Sequence, residues 1–145
     1  MGVEIKQLAK GILDDAYLMT LAITDASGSW AAPVIFVTDS EMRLYWLSLR
    51  NTRHSQAIAA GQRVGISVVA EWTKGSERAL QSEADAIMVN GDLFEQEVAL
   101  RTKIGDMPPA VAGETTGEHS WYMAAPRCIE LIDDQHFGWN RQRVL

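Results

Sequence analysis

RLYWLSLRNTRHSQAI, Arg43 to Ile58, runs a strand, a turn and a helix start together, and the rest of the chain is ordered around it. Its first half, Arg43 to Leu49, is dense in aromatic and branched side chains, which suit a pleated, half-buried surface and predict a strand. Asn51-Thr52-Arg53-His54 follows. Thr52 is placed to cap a helix running from Arg53 to Ala60, with Gly61 as its stop. The first turn of a helix leaves N–H donors unpaired, and Arg53 and His54 stand beside them with Ser48 at the preceding strand end. Taken singly, these are an ordinary strand-end serine, a cap and two solvated residues. Two cationic side chains at a helix start oppose its dipole, however, and a dianionic phosphate would reconcile them.

On either side the elements are mostly strands. Val3 to Leu13 has apolar positions at helical spacing and predicts an amphipathic first helix, ended by Asp14-Asp15. Tyr17 to Thr24 and Trp30 to Thr38 read as strands joined by the turn Asp25 to Gly28. Pro33 lacks a ladder donor and therefore belongs at an edge or a bulge. With Arg43 to Leu49 these strands are expected to form a meander. Further strands are expected at Arg63 to Trp72, at Arg78 to Val89, and at Trp121 to Asp133 with a break at Pro126. A second long helix should follow Asn90-Gly91-Asp92 and stop at Gly105, Met107 to His119 should be a long loop, and the tail from His136 should add a short strand. Short antiparallel strands in this number expose edges unless the sheet closes. The expected fold is therefore mainly β: a small antiparallel barrel of six or seven strands with peripheral helices, in a single domain over residues 1–145.

Composition narrows the chemistry. Nineteen acidic against thirteen basic residues give a net charge of −6, which repels nucleic acid and anionic membrane in the absence of a basic run. No apolar run approaches the roughly 18 residues needed to cross a bilayer, and no signal peptide is evident, so a cytoplasmic location is expected. Cys128 stands alone, which excludes an intramolecular disulfide and a cysteine-rich zinc site. The three histidines are widely spaced, no G-x-S-x-G elbow occurs, and no glycine-rich phosphate loop is present. The acidic pairs Asp14-Asp15 and Asp133-Asp134 lie at element ends, where carboxylates commonly serve as solvated caps. Of the five tryptophans, Trp30, Trp46 and Trp72 are expected in the core or at an interface. The residues left with a chemical reading are Ser48, Thr52, Arg53 and His54.

The order of strand, S-x-x-x-T-R-H-S-Q-A-I helix and R-V-G-I-S-V strand resembles the FMN-binding split β-barrel of the pyridoxamine 5'-phosphate oxidase-like superfamily. The likeness spans Tyr17 to Val89, and the tail Ile132 to Trp139 is similar to the end of a small bacterial branch of that superfamily. The resemblance implies a homodimer with a flavin in a groove at the subunit interface. It implies phosphate ligands at Ser48, Thr52, Arg53 and His54, and the backbone of Pro33, Val34 and Ile35 beside the isoalloxazine ring. It further implies Gln81 and Ser82 turned towards the cofactor, with Trp139 and Arg141 reaching over from the partner subunit.

Two positions depart from the oxidase pattern. His54 stands where the oxidase has lysine, and Ala32 where it has an arginine that reaches the cofactor. Pyridoxamine 5'-phosphate oxidase activity is accordingly not expected. The resemblance implies an FMN-dependent oxidoreductase in which the flavin carries the chemistry and no side chain need act as acid or base. Two alternatives stay open: a split barrel that has lost FMN and serves as a non-catalytic binding protein, and one that uses a deazaflavin or haem.

Overall fold

The computed structural model describes residues 4–105 and 119–145. Val3 and the loop expected before His119 lie outside those residues. Helix α1, Ile5–Asp15, buries Ala9, Ile12 and Leu13 on one face and runs through the Asp14-Asp15 pair. Strand β1, Leu18–Asp25, alternates exposed and buried side chains, as a strand covering a core on one face must. It pairs antiparallel with β2, Gly28–Ile35, through the two-residue turn Ala26-Ser27. Asp25 Oδ1 accepts from the Ser27 amide at 2.8 Å. Gly28, at φ 117°, takes a backbone conformation that side chains resist.

The predicted second strand is in fact two. Phe36 separates β2 from β3, Val37–Thr38, and β4, Leu44–Leu49, returns after the Asp39–Met42 turn. Helix α2 covers Arg53–Ala59, β5 Gln62–Glu71 and β6 Arg78–Val89. Helix α3, Phe94–Ile104, ends at Gly105 (φ 99°), and β7 spans His119–Asp133. Helix α4, Asp134–Phe137, and β8, Gln142–Arg143, complete the described chain.

The sheet order is β2-β1-β5-β6-β7-β4-β3, with β8 added beside β7. Its two end strands, β2 and β3, are separated in the chain by Phe36 alone, so the sheet must curl until its edges meet. They meet without pairing, and the result is a split barrel. The expected meander holds only in part: β1 pairs with β2 and β4 with β3, the end of the predicted second strand, but on the far side of Phe36 β2 does not bond to β4, whose other neighbour is β7. Hydrophobic alternation fixes which face of a strand is buried and leaves open which edge it joins. Pro33, on end strand β2, needs no outward donor, in keeping with the expectation of an edge.

Pro126 does not break β7. The register with β6 shifts between Glu83 and Ala84, whose partners are Cys128 and Pro126, so Arg127 is an extra residue that absorbs the missing donor in a bulge. Inside the barrel Trp46 stacks on Tyr122, with ring centroids 5.9 Å apart. Phe36, fully buried, fills the seam between the two end strands.

Candidate functional site at the barrel seam

Where β2 and β4 diverge without pairing, the seam opens into a groove of about 580 Å³. Pro33, Val34 and Ile35 form one wall, Leu47, Ser48 and Leu49 another, and His54 stands at the start of α2. Leu100 and Ile104 of α3, together with Leu18 and His119, complete it. Helix α3 is pinned over the seam by Lys103, which donates to the Phe36 carbonyl and holds its ammonium 3.7 Å from the centroid of the Phe36 ring. Burial draws the Lys103 pKa down to about 8, against the opposing pull of Asp14.

The local order of the α2 corner follows from its sequence. Thr52 caps the helix as predicted, its hydroxyl accepting from the Ser55 amide at 3.2 Å. The same hydroxyl lies 2.7 Å from Ser55 Oγ, 3.0 Å from the Leu49 carbonyl and 3.4 Å from His54 Nε2. His54 Nε2 shares a 3.1 Å hydrogen bond with Ser48 Oγ, and both residues are buried. Burial holds the imidazole below its ordinary pKa, so it is neutral at pH 7. The groove thus has a small polar corner set in an apolar lining.

Arg53 takes a different direction. Its Nε and Nη2 donate to the two oxygens of Asp25 at 2.8 and 2.9 Å, and its guanidinium lies 4.9 Å from the centroid of the Trp30 ring. The pairing lowers the Asp25 pKa and raises that of Arg53, in each case mainly through their shared hydrogen bonds. Arg53 does not line the groove.

Of the residues singled out in the sequence, Pro33, Val34, Ile35, Ser48 and His54 therefore converge on one groove, and Thr52 braces it from behind. The others lie elsewhere. Gln81, on the exposed face of β6, accepts from Arg141 Nε at 2.8 Å. Ser82 donates to the Cys128 carbonyl of β7. Trp139 meets Trp72 edge to face at 6.1 Å, and both are largely exposed. Sequence reasoning missed His119, Leu100, Ile104 and Asp25. His119 was reachable once β7 was carried past Trp121, because it pairs with Leu49 across the β4–β7 ladder. Leu100 and Ile104 lie one helical turn apart and so share a face of α3. Nothing in the local pattern joins Asp25 to Arg53.

The sequence matches no protein-family model and no curated protein. Solved structures do resemble it. A haem-binding protein from Mycobacterium smegmatis superposes with a TM-score of 0.76 at 16% identity over 99% of this chain and 59% of that one. This chain therefore spans about three fifths of that protein. A provisionally assigned pyridoxamine 5'-phosphate oxidase from Listeria innocua gives 0.72 at 14% identity over 89% and 98%. HutZ, the haem storage protein of Vibrio cholerae, gives 0.68 at 18% identity over 92% and 95%. At these identities the likeness is one of fold. The fold is a split barrel, which these structures share.

The residues present can be set against an FMN. A ring system needs a slot with apolar walls and backbone polar groups at one edge, which the seam and the outer side of β2 supply. A phosphate needs donors. Ser48 and His54 offer a hydroxyl and a neutral imidazole, while the Arg53 guanidinium is occupied by Asp25. A phosphate at this corner would meet neutral groups.

Proposed function

We propose that the seam groove binds FMN and that the protein is an FMN-dependent oxidoreductase. The observation that carries this reading is the convergence of Pro33, Val34 and Ile35 with the Ser48–His54 pair on one groove. The flavin, when bound, supplies hydride and electron transfer. The chain's part is to line the ring with Leu18, Leu47 and Leu100, to present the β2 backbone at its edge, and to meet the phosphate with Ser48 and His54. Titrating purified protein with FMN at pH 7.5 should quench flavin fluorescence saturably and shift the absorption band. No saturable change overturns the reading.

The reading includes a homodimer with the groove at its interface. Tyr17, Leu18, Val69, Trp72 and Trp139 are exposed apolar side chains that a second copy would cover. In a dimer Trp139 and Arg141 of one copy would complete the groove of the other. Light scattering at micromolar concentration should give twice the subunit mass, and a monomer that still binds FMN would remove this part.

A second reading has its own observation. His54 and His119 both line the groove, and an apolar slot with two imidazoles suits haem. Titration with haemin should then shift the Soret band in the wild type and not in His119→Ala; identical spectra for both proteins would dismiss it.

A further inference from the structure

Helix α3 forms one wall of the seam groove, through Leu100 and Ile104, and it is lightly held. Of its 11 residues only Leu100 is buried, seated among Val37, Tyr45 and Trp121, while Phe94, Val98 and Ile104 stay exposed. Helix α1, of the same length, buries Ala9, Ile12 and Leu13. What α1 gains from an apolar stripe, α3 draws in part from Lys103. Its ammonium donates to the Phe36 carbonyl and lies over the Phe36 ring, so the grip falls on the residue that joins the two end strands of the sheet. That grip has a cost. Burial disfavours the charged amine and draws its pKa down to about 8, so desolvation offsets part of what the two contacts contribute. Just before and just after the helix the chain passes through a glycine at positive φ, Gly91 at 111° and Gly105 at 99°, where the backbone can turn without a Cβ in the way. At the floor of the groove, Ser48 and His54 are 8% exposed with the helix in place.

We propose that α3 is a hinged lid over the seam groove, and that Lys103, by its hold on Phe36, is the latch that keeps it shut. The lid lifts as a unit on Gly91 and Gly105 while the barrel strands stay paired. Opening uncovers the Ser48–His54 corner to a ring-sized ligand, and closing lays Leu100 and Ile104 back over it. The device goes beyond the flavin reading, because it governs entry of any ring that the groove takes.

Two measurements on the protein without added ligand test it: native-state hydrogen exchange, and carbethoxylation of His54 by diethyl pyrocarbonate, both read by peptide mass. In the wild type, α3 amides should exchange through a local opening that low urea does not accelerate, whereas β5 and β6 amides should follow global unfolding. The same urea dependence in α3 and in the barrel overturns the lid. Lys103→Met keeps the length of the side chain and removes its donor and charge. In that variant the exchange of α3 and the carbethoxylation of His54 should each rise about tenfold, the effect of losing one charge-assisted hydrogen bond, with β5 and β6 unchanged. Lys103→Arg, which retains a cationic donor, should bring both rates back towards the wild type. A wild-type rate for either measurement in Lys103→Met, or a rise shared by the whole barrel, overturns the latch. A wild type that fails to bind FMN removes the flavin reading and leaves these rates to decide the lid.

Discussion

At the seam, Ser48 and His54 are each 8% exposed and bonded to one another, whereas on the outer face of β6 Gln81 and Arg141 form their hydrogen bond in the open. The two pairs have similar geometry and different determinants. A buried polar pair is held because breaking it strands two desolvated groups, at about 1–3 kcal/mol for each one left unsatisfied. An exposed pair trades its bond for water at almost no net cost. The seam is therefore organised before any ligand arrives. The outer face acquires a defined arrangement only when something covers it, and in the proposed dimer that cover is a second copy.

The two regions should respond differently to substitution. Phe36→Ala removes the side chain that fills the seam, and should lower the free energy of unfolding by about 3–5 kcal/mol in urea titration. A loss below about 1 kcal/mol would mean that the seam is loosely packed. Ser48→Ala leaves the His54 ring nitrogen short of its closest partner and should lower stability by about 1–3 kcal/mol by the same measurement. An unchanged midpoint would show that the imidazole is satisfied without Ser48.

A smaller effect should appear with pH. Burial lowers the folded-state pKa of His54 below its ordinary value of 6.5, so between those two values the unfolded chain binds more protons than the folded one. Stability should then be full above pH 6.5 and decline as pH falls from there through the folded-state value. Urea midpoints at about pH 7.5 and about pH 5.5 should differ less in His54→Gln than in the wild type, and equal differences would detach the effect from His54. Gln81→Ala, on the exposed side, should move stability by no more than about 0.5 kcal/mol. A larger shift would show that the outer pair is held by the single subunit after all.

The legible parts of the chain were those governed by near neighbours. The Thr52 cap, the strand over Arg78–Val89, the Ala26-Ser27 turn and the stop at Gly105 all follow from residues within a turn or two of one another. The edge position of Pro33 was legible because a missing donor is a local chemical fact. The failures involve distance. The meander held only as far as Val37–Thr38 because most of β4 finds its neighbour in β7, late in the chain, and Pro126 was read as a break because the bulge that accommodates it depends on the register with β6. The direction of Arg53 was missed because Asp25 lies at the far end of a hairpin, with three strands, β2, β3 and β4, between them in the chain.

The element types, the mainly β barrel class and the polar residues gathered around Thr52 were set by the sequence alone. Periodicity, caps and turns act over short stretches, and their energies depend little on what packs above them. It took the tertiary structure to establish that β2 and β4 part at the seam, that α3 and His119 close the groove, and that Arg53 faces Asp25 and not the groove. Those outcomes turn on which distant surfaces meet, and burial and ion pairing are properties of the meeting, not of either partner alone.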